Sequence, residues 1–394
     1  MPIGVFVLAA AVFAQGTSEF MMSGLLARTA ADFAVSLGTV GLLTSVYAVG
    51  MVLGAPTMAA TAGRWPLRRS ATTFLALFCV AHIVGAVTTD FAVLVATRAV
   101  AAVANAGFLA IVLAALPRLV GPALLGRATS IIVSGVTVAC IAGVPAGTLL
   151  GQLWGWRSAF AAVAVVSAAV LIPVASMVPR DGAGADASDR SMWSEWAVLG
   201  VREVRSAVVV GVLVNAATFA AFTYLGTIAA GIAGTTRGWV PLVLALFGLG
   251  SFVGVTLTGR YSDRRGRSII TVGTVGLVGV WALAAVTAHT IAGVAVMTLL
   301  TGAAAFGVGS ALIATIVRTA APTAPRLAGA MATTALNIGA VLGPMVAGVA
   351  VDRTQTPVAA LWCAAGTAAV AAVIVQFDRA RRGPAADPVG VGAR

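Results

Sequence analysis

Lysine is absent from this 394-residue chain, histidine occurs only twice and cysteine three times, and charged residues make up just 9% of it. A soluble domain carries roughly a quarter charged residues. That scarcity, beside 60% hydrophobic residues and a mean hydropathy of +1.04, excludes an ordinary water-soluble globule and makes hydrocarbon the solvent of most of the surface. Cys79, Cys140 and Cys363 all fall in apolar runs and read as small buried hydrophobes, which argues against a disulfide framework or a thiolate metal site. His82 and His289 lie near segment ends and are too few to build a metal site, so no metal and no cofactor is expected. The formal charge of +12 would suggest nucleic acid in a soluble protein. Here the arginines are strung between apolar runs, so orientation in a lipid bilayer is the better account and no nucleic-acid partner is expected. The lack of lysine, with the excess of Ala, Gly and Val, reads as a GC-rich coding bias.

What is abundant is long apolar segments. Spans are predicted near residues 3–26, 39–62, 71–89, 91–116, 128–150 and 158–178, then near 207–230, 239–258, 268–288, 290–317, 329–350 and 358–376. Each is long enough to cross a hydrocarbon core of about 30 Å at 1.5 Å rise per residue. With the N-terminus inside, nineteen of the 24 basic residues fall in inner loops. Four (Arg28, Arg157, Arg237 and Arg353) fall outside, and Arg98 lies within a span. That asymmetry predicts a multi-pass protein of the cell membrane with both termini cytoplasmic. The first segment has no basic leader region and carries Glu19 in its apolar part, so no secretory signal peptide is expected.

The expected organisation is an all-α polytopic protein: a six-helix bundle over 1–178, a cytoplasmic linker over 179–206, a second six-helix bundle over 207–377 and a cytoplasmic tail over 378–394. The linker begins Gly-, Ala- and Asp-rich, as a flexible connector does. Its part from Ser191 reads either as a short interfacial helix with Trp193 and Trp196 toward lipid or as an unstructured connector. The halves echo one another: AATAGRWPLRRS (59–70) follows span 2 and GRYSDRRGRS (259–268) follows span 8. A repeated six-span unit with a basic turn after its second span is the sequence form of a two-bundle transporter. In the second copy Gly259 and Gly266 suit a tight turn, and Asp263 can cap a helix or pair with an arginine. The first copy has Gly63 in place of that acid.

Span 5 places Gly135, Ala139, Gly143 and Gly147 on one narrow face and Pro145 in mid-helix, predicting close backbone packing and a kink. Such a helix suits an interface that repacks in a rocking motion. Trp154 and Trp156 read as interfacial anchors, with Arg157 holding the start of span 6 at the surface. Span 11 carries Gly339, Gly343 and Pro344 in a related pattern, with Asn337 its strongest polar group.

Ionisable groups inside spans need a reason. Glu19 lies roughly 24 Å along span 1, and Arg98 roughly 10 Å below the outer edge of span 4, so the two share a depth. Glu19 reads as a proton carrier, a substrate contact or a static ion-paired clip; Arg98 reads as its partner or as a structural donor to carbonyls. Gln15, Thr17, Asn105, Asn215, Thr223 and Asn337 are candidates to line a cavity. Phe20, Tyr47, Phe108, Phe219, Phe222, Tyr224 and Phe306 are candidates for its aromatic wall. A mostly apolar cavity favours a small neutral hydrophobic solute over ions or sugars.

The motifs FAQGTSEFMMSGLL (13–26), RAVAAVANAGF (98–108), GVPAGTLLGQLWGWRSAF (143–160) and GRYSDRRGR (259–267) give the chain its resemblance. It resembles the major facilitator superfamily, in particular the twelve-span drug:proton antiporters and, among these, the actinobacterial chloramphenicol-resistance exporters. The resemblance covers essentially the whole chain. It implies the two-bundle fold, no enzymatic chemistry, and proton-coupled efflux of chloramphenicol or a similar drug by a monomer. It also implies proton and substrate recognition at Glu19 and proton coupling at Arg98. Gly143, Pro145 and Gly147 resemble the fifth-span antiporter motif, here GVPAG, and Asp263, Arg264, Gly266 and Arg267 resemble the cytoplasmic turn of the second half. Gly63 and Pro66 depart from the first-half turn, which weakens the cytoplasmic lock on that side. The alternatives are efflux of arabinose-like sugars or another metabolite, which predicts more Asn, Gln and Asp along the spans, and a non-transporting membrane sensor or scaffold.

Overall fold

The computed structural model of the protein describes residues 2–62, 66–120, 124–178, 196–232, 238–320, 322 and 327–382. Among them are twelve helices long and apolar enough to cross a membrane. Spans 1 to 6 are Ile3–Phe20, Leu37–Gly54, Leu67–Val87, Phe91–Leu113, Arg127–Trp154 and Trp156–Met177. Spans 7 to 12 are Arg202–Ala230, Trp239–Arg260, Gly266–Thr287, Ile291–Ala320, Met331–Thr354 and Ala359–Arg381. Many large apolar side chains on them face outward (Ile172 is 73% exposed and Val272 69%), as a lipid-facing surface requires.

Two boundaries differ from the sequence reading. Span 1 ends at Phe20, and after Met21 a second helix runs Met22–Phe33, well beyond the expected limit of 26. The break is a local tightening in which the Gly24 amide bonds the Met21 carbonyl at 3.0 Å. Helical backbone continues from Trp239 to Thr287 through what reads as a turn, yet Phe247 and Trp281 line one small cavity. A straight helix would hold them about 50 Å apart. The chain therefore doubles back around residues 261–265, whose side chains, Asp263 and Arg264 among them, lie outside those described. Residues 179–195, 63–65 and 383–394, which hold most of the expected linker, the first-half turn and the tail, also lie outside the described residues. Trp196–Gly200 form a 3-10 turn leading into span 7.

The start of span 1 lies beside the end of span 6, where a Cβ on Gly4 would stand 3.7 Å from the Met177 carbonyl oxygen. The start of span 7 is tied to the end of span 12 by Arg202 and Asp378 at 2.8 Å. The start of span 1 and the end of span 12 thus share one face, here the terminal face; the opposite one is the far face. Spans 1–6 pack mainly on one another, as do spans 7–12, and the two sets meet along spans 2 and 11, spans 5 and 8, and the Met22–Phe33 helix and span 7.

Span 5 is irregular where Pro145 was expected to kink it. Residues Ala139–Gly143 form a π turn, and Pro145 follows at the start of the next helical stretch. The wider turn accommodates the proline ring and its missing donor. The small-residue face packs on span 1 of the same half: a Cβ on Gly143 would overlap the Thr17 hydroxyl. The contact with the other half uses a different side of span 5, where a Cβ on Gly248 of span 8 would stand 2.6 Å from the Cys140 carbonyl oxygen. The glycine face is thus a seam within one half. Trp156 is corrected as well: it is only 3% exposed, because its indole turns inward to bond Asp32, whereas Trp154 stands 73% exposed.

Candidate functional site

At the far face the two sets of helices are sealed together. Ser23 donates to the Phe222 carbonyl at 2.6 Å, and Ser45 to the Val341 carbonyl at 2.8 Å. Asp352 at the end of span 11 accepts from the Ser36 hydroxyl at 2.7 Å and the Gly38 amide at 3.0 Å. Glycine is required at Gly226, because a Cβ there would overlap the Ser23 carbonyl oxygen and stand 3.1 Å from Gly24 Cα. Asp32 on the extension helix bonds Trp156 at 2.9 Å and pairs with Arg157, and these contacts hold its carboxyl below the usual carboxylate range.

Toward the terminal face the helices part. A cleft of about 490 Å³ separates spans 5 and 8, lined by Thr129, Val133 and Thr137 on one wall and Ser251, Val255 and Thr256 on the other. Phe306 of span 10 also lines it. The cleft ends where Cys140 meets Gly248 at mid-depth. Its lining is apolar with short hydroxyls and, among the described residues, carries no ionised side chain.

Beyond Cys140 lies the polar centre. Arg98 is fully buried, its guanidinium 4.2 Å over the Tyr47 ring. Asn105 donates to the Tyr47 hydroxyl at 2.9 Å. Arg98 Nη1 donates to the Ser18 hydroxyl at 2.8 Å, and Ser18 lies 2.6 Å from His82 Nε2. Glu19, next in sequence, is half-buried, and among the described residues no side chain bonds it. Its charge lies close enough to act on Arg98, Tyr47 and Cys140. Thus the two groups singled out in the sequence share one neighbourhood without a direct bond between them. Arg98 Nε and Nη2 find no acceptor among the described residues.

An aromatic row runs beside this centre. Phe20 stands 5.8 Å from both Phe219 and Phe222, Phe222 stands 4.7 Å from Phe247, and Phe247 stands 5.9 Å from Phe306. Four of these rings were candidates from sequence; Phe247 was missed, since nothing in its apolar run marks it. Gln15 and Thr223 are fully buried with side-chain polar atoms that meet no protein partner among the described residues.

The other candidates lie elsewhere. Phe108 packs into a separate core with Leu8, Val12 and Ile132, because the span 4 face that carries it turns toward spans 1 and 5. Thr17 bonds the Phe13 carbonyl on its own helix and fills the space under Gly143. Asn215 clamps span 7 to span 11 through the Leu336 carbonyl at 2.5 Å, and Asn337 bonds Thr333 on its own helix at 3.0 Å. Tyr224 is buried in the far-face seal, 3.0 Å from where a Cβ on Gly348 would stand. A Cβ on Gly147 would stand in ordinary contact with Met21 and Ala159, at 3.8 and 3.9 Å. Gly266 lies near Arg318, and Arg267 is exposed. Among the described residues no cluster of His, Cys, Asp and Glu could hold a metal.

Comparison with known proteins gives a consistent picture. The sequence model of the Major Facilitator Superfamily matches residues 8–334 and 231–391. The chain is 45% identical over 378 residues to a chloramphenicol resistance protein of Streptomyces lividans, covering 96% of each. It is 31% identical to the inner membrane transport protein YdhP of Escherichia coli K12, covering 88% of each. Among solved structures it resembles a point mutant of the nucleoside transporter NupG, with TM-score 0.80 and 13% identity, covering 95% of this chain and 98% of that one. It also resembles a bacterial homolog of the human lysosomal transporter Spinster in an inward-facing, unoccupied conformation, with TM-score 0.73 and 16% identity, covering 96% and 94%. These two likenesses speak to the fold alone.

Proposed function

Because the chain belongs to the major facilitator superfamily and is a multi-pass small-molecule transporter rather than an enzyme, we propose that it exports chloramphenicol or a similar small neutral hydrophobic drug in exchange for protons. The excess of arginine in loops on the terminal face supports placing that face, the 179–206 linker and the 378–394 tail in the cytoplasm. The cleft between spans 5 and 8 then opens inward while the far-face seal blocks the outside, the inward-facing half of an alternating-access cycle. The protein acts as a monomer whose two bundles, 1–178 and 207–377, rock against each other at the interface between them.

The observation that carries the proposal is the cleft itself: apolar walls with short hydroxyls, ending against a centre that holds Glu19 and Arg98. Such a lining accepts an uncharged aromatic solute and offers little to an ion. Arg98 is a fixed buried cation, and Glu19 is the nearby acid free of other bonds, so Glu19 is the group able to change charge as its exposure alternates. In the proposed cycle, Glu19 releases its proton inward and drug enters the cleft. The far-face seal then opens, drug leaves, and Glu19 is protonated from outside. The membrane potential supplies about 2.3 kcal/mol per charge per 100 mV, and a pH gradient adds to it.

Cells with and without the protein, loaded with labelled chloramphenicol, test this reading. Expression should lower the steady internal level, and a protonophore should return it to that of cells lacking the protein. Equal levels with and without the protein at an intact gradient would refute drug export, and export that survives the protonophore would refute proton coupling.

A further inference from the structure

We propose that His82, acting through Ser18, is a positioning residue for Arg98. The inference rests on the reading that Arg98 takes part in proton coupling, and it concerns a residue that no sequence motif singles out.

The direction of each bond follows from the chemistry of its ends. The Phe78 carbonyl can only accept, so His82 Nδ1, 2.8 Å away, carries the hydrogen. In the neutral ring Nε2 is then an acceptor, and it takes the Ser18 hydroxyl hydrogen at 2.6 Å. That leaves the Ser18 oxygen as the acceptor for Arg98 Nη1 at 2.8 Å. The relay Arg98 to Ser18 to His82 to Phe78 carbonyl uses each hydrogen once, and the second lone pair of the Ser18 oxygen is left to accept from the Tyr47 hydroxyl, which also bonds Ser18. A ring protonated on both nitrogens would reverse the Ser18–His82 bond, and the Ser18 hydrogen would then have to turn from the imidazole to the Tyr47 hydroxyl.

The relay is rigid as well as directional. Ser18 and His82 are 0% and 1% exposed, and the imidazole lies between the rings of Phe78 and Phe160 at 4.2 and 5.7 Å. Tyr47 covers one face of the guanidinium and is itself held by Asn105. With Nη1 tied to Ser18, the edge formed by Nε and Nη2 is the one left without a protein acceptor among the described residues. This edge is a side-on fork suited to a carboxylate. Without the relay the guanidinium keeps its stacking on Tyr47 but can turn in the plane of the ring, and the fork no longer has a fixed heading.

The test uses purified full-length protein in liposomes, with two measurements on each variant: drug accumulation driven by an imposed pH gradient, and drug-for-drug exchange at equal pH. His82→Leu, which removes the acceptor of the Ser18 hydroxyl, should lower gradient-driven accumulation about tenfold, the upper weight of one hydrogen bond between neutral groups. Exchange and the KM for drug should stay within about twofold. His82→Gln places an amide oxygen where Nε2 stood and should restore accumulation to within about threefold of wild type. Ser18→Ala supplies the same break without touching the ring, in case His82→Leu fails to insert. Accumulation unchanged in both His82→Leu and Ser18→Ala would overturn the proposal, as would exchange falling in step with accumulation. Wild-type protein that accumulates drug without any gradient would refute the coupling reading itself, and this role with it.

Discussion

Replacing Gly226 with alanine should tip the protein toward a form open at the far face. In the structure Gly226 on span 7 lies against Ser23 and Gly24 on the helix that extends span 1, and an added Cβ would overlap the Ser23 carbonyl oxygen. Two of the three nearest atoms belong to the Ser23 backbone and the third is the Gly24 Cα, so no side chain can swing away to relieve the overlap. Either the two helices separate or the contact is strained. Overpacking a close-packed contact costs about 1–3 kcal/mol, and here that cost falls only on the state with the far face shut. A bias of that size changes the ratio of the two states by roughly 5- to 150-fold. Spin labels at Val133 and Val255, which face each other across the inner cleft, would read that ratio as a pair of distances in pulsed EPR. The short-distance population should grow in Gly226→Ala by a factor in that range, in a background without native cysteines. An unchanged distribution in a properly inserted variant would mean that the contact between the Met22–Phe33 helix and span 7 does not gate the far face.

Further outcomes are expected elsewhere in the molecule. Glu19→Gln should insert normally yet lose gradient-driven export, measured as drug accumulation across an imposed pH step; normal export would remove the acid from the mechanism. Phe108→Ala should cost roughly 3–5 kcal/mol of stability in a thermal melt while leaving the range of exported drugs unchanged, because the ring sits in a core away from the cleft. Asp32→Asn should lower stability by at most about 1 kcal/mol, since the pair with Arg157 is more than a third exposed and screened. The folded state holds the Asp32 carboxyl below its usual range. Its contribution is therefore present above about pH 4 and fades as the pH falls further. Melting temperatures of the variant and wild type should differ at neutral pH and converge in acid.

The sequence made the architecture legible because each crossing helix must show water-free length and composition, and the arginines mark the loops. The neighbourhood of Glu19 and Arg98 was legible for the same reason, since a charge in a span is rare enough to notice. What escaped were contacts that depend on how helices are rotated. Phe108 lies on the same helix as Asn105, and only packing decides that one faces the Tyr47 hydroxyl and the other a separate core. Ser18 adjoins Glu19 but bonds a histidine 64 residues away. A lone His82 in an apolar run was the one available hint, and placing it near a span end hid its value. Trp156 misled because aromatic residues at span ends are so often surface anchors; here the extension of span 1 brings Asp32 close enough to draw the indole inward.

Among the described residues, the hydrogen bonds that shut the far face are made by serine hydroxyls, a backbone amide, carbonyl oxygens and a carboxylate, namely those of Ser23, Ser45, Ser36, Gly38 and Asp352 with their partners. Each such bond is worth about 1 kcal/mol, and together they hold the door with a force comparable to what one or two protons deliver on crossing the membrane. A stronger bolt would leave the machine stalled in one pose, and no bolt at all would let ions leak through it. If export is proton-driven as proposed, each turnover depends on fastenings this light, drawn and reset on every stroke.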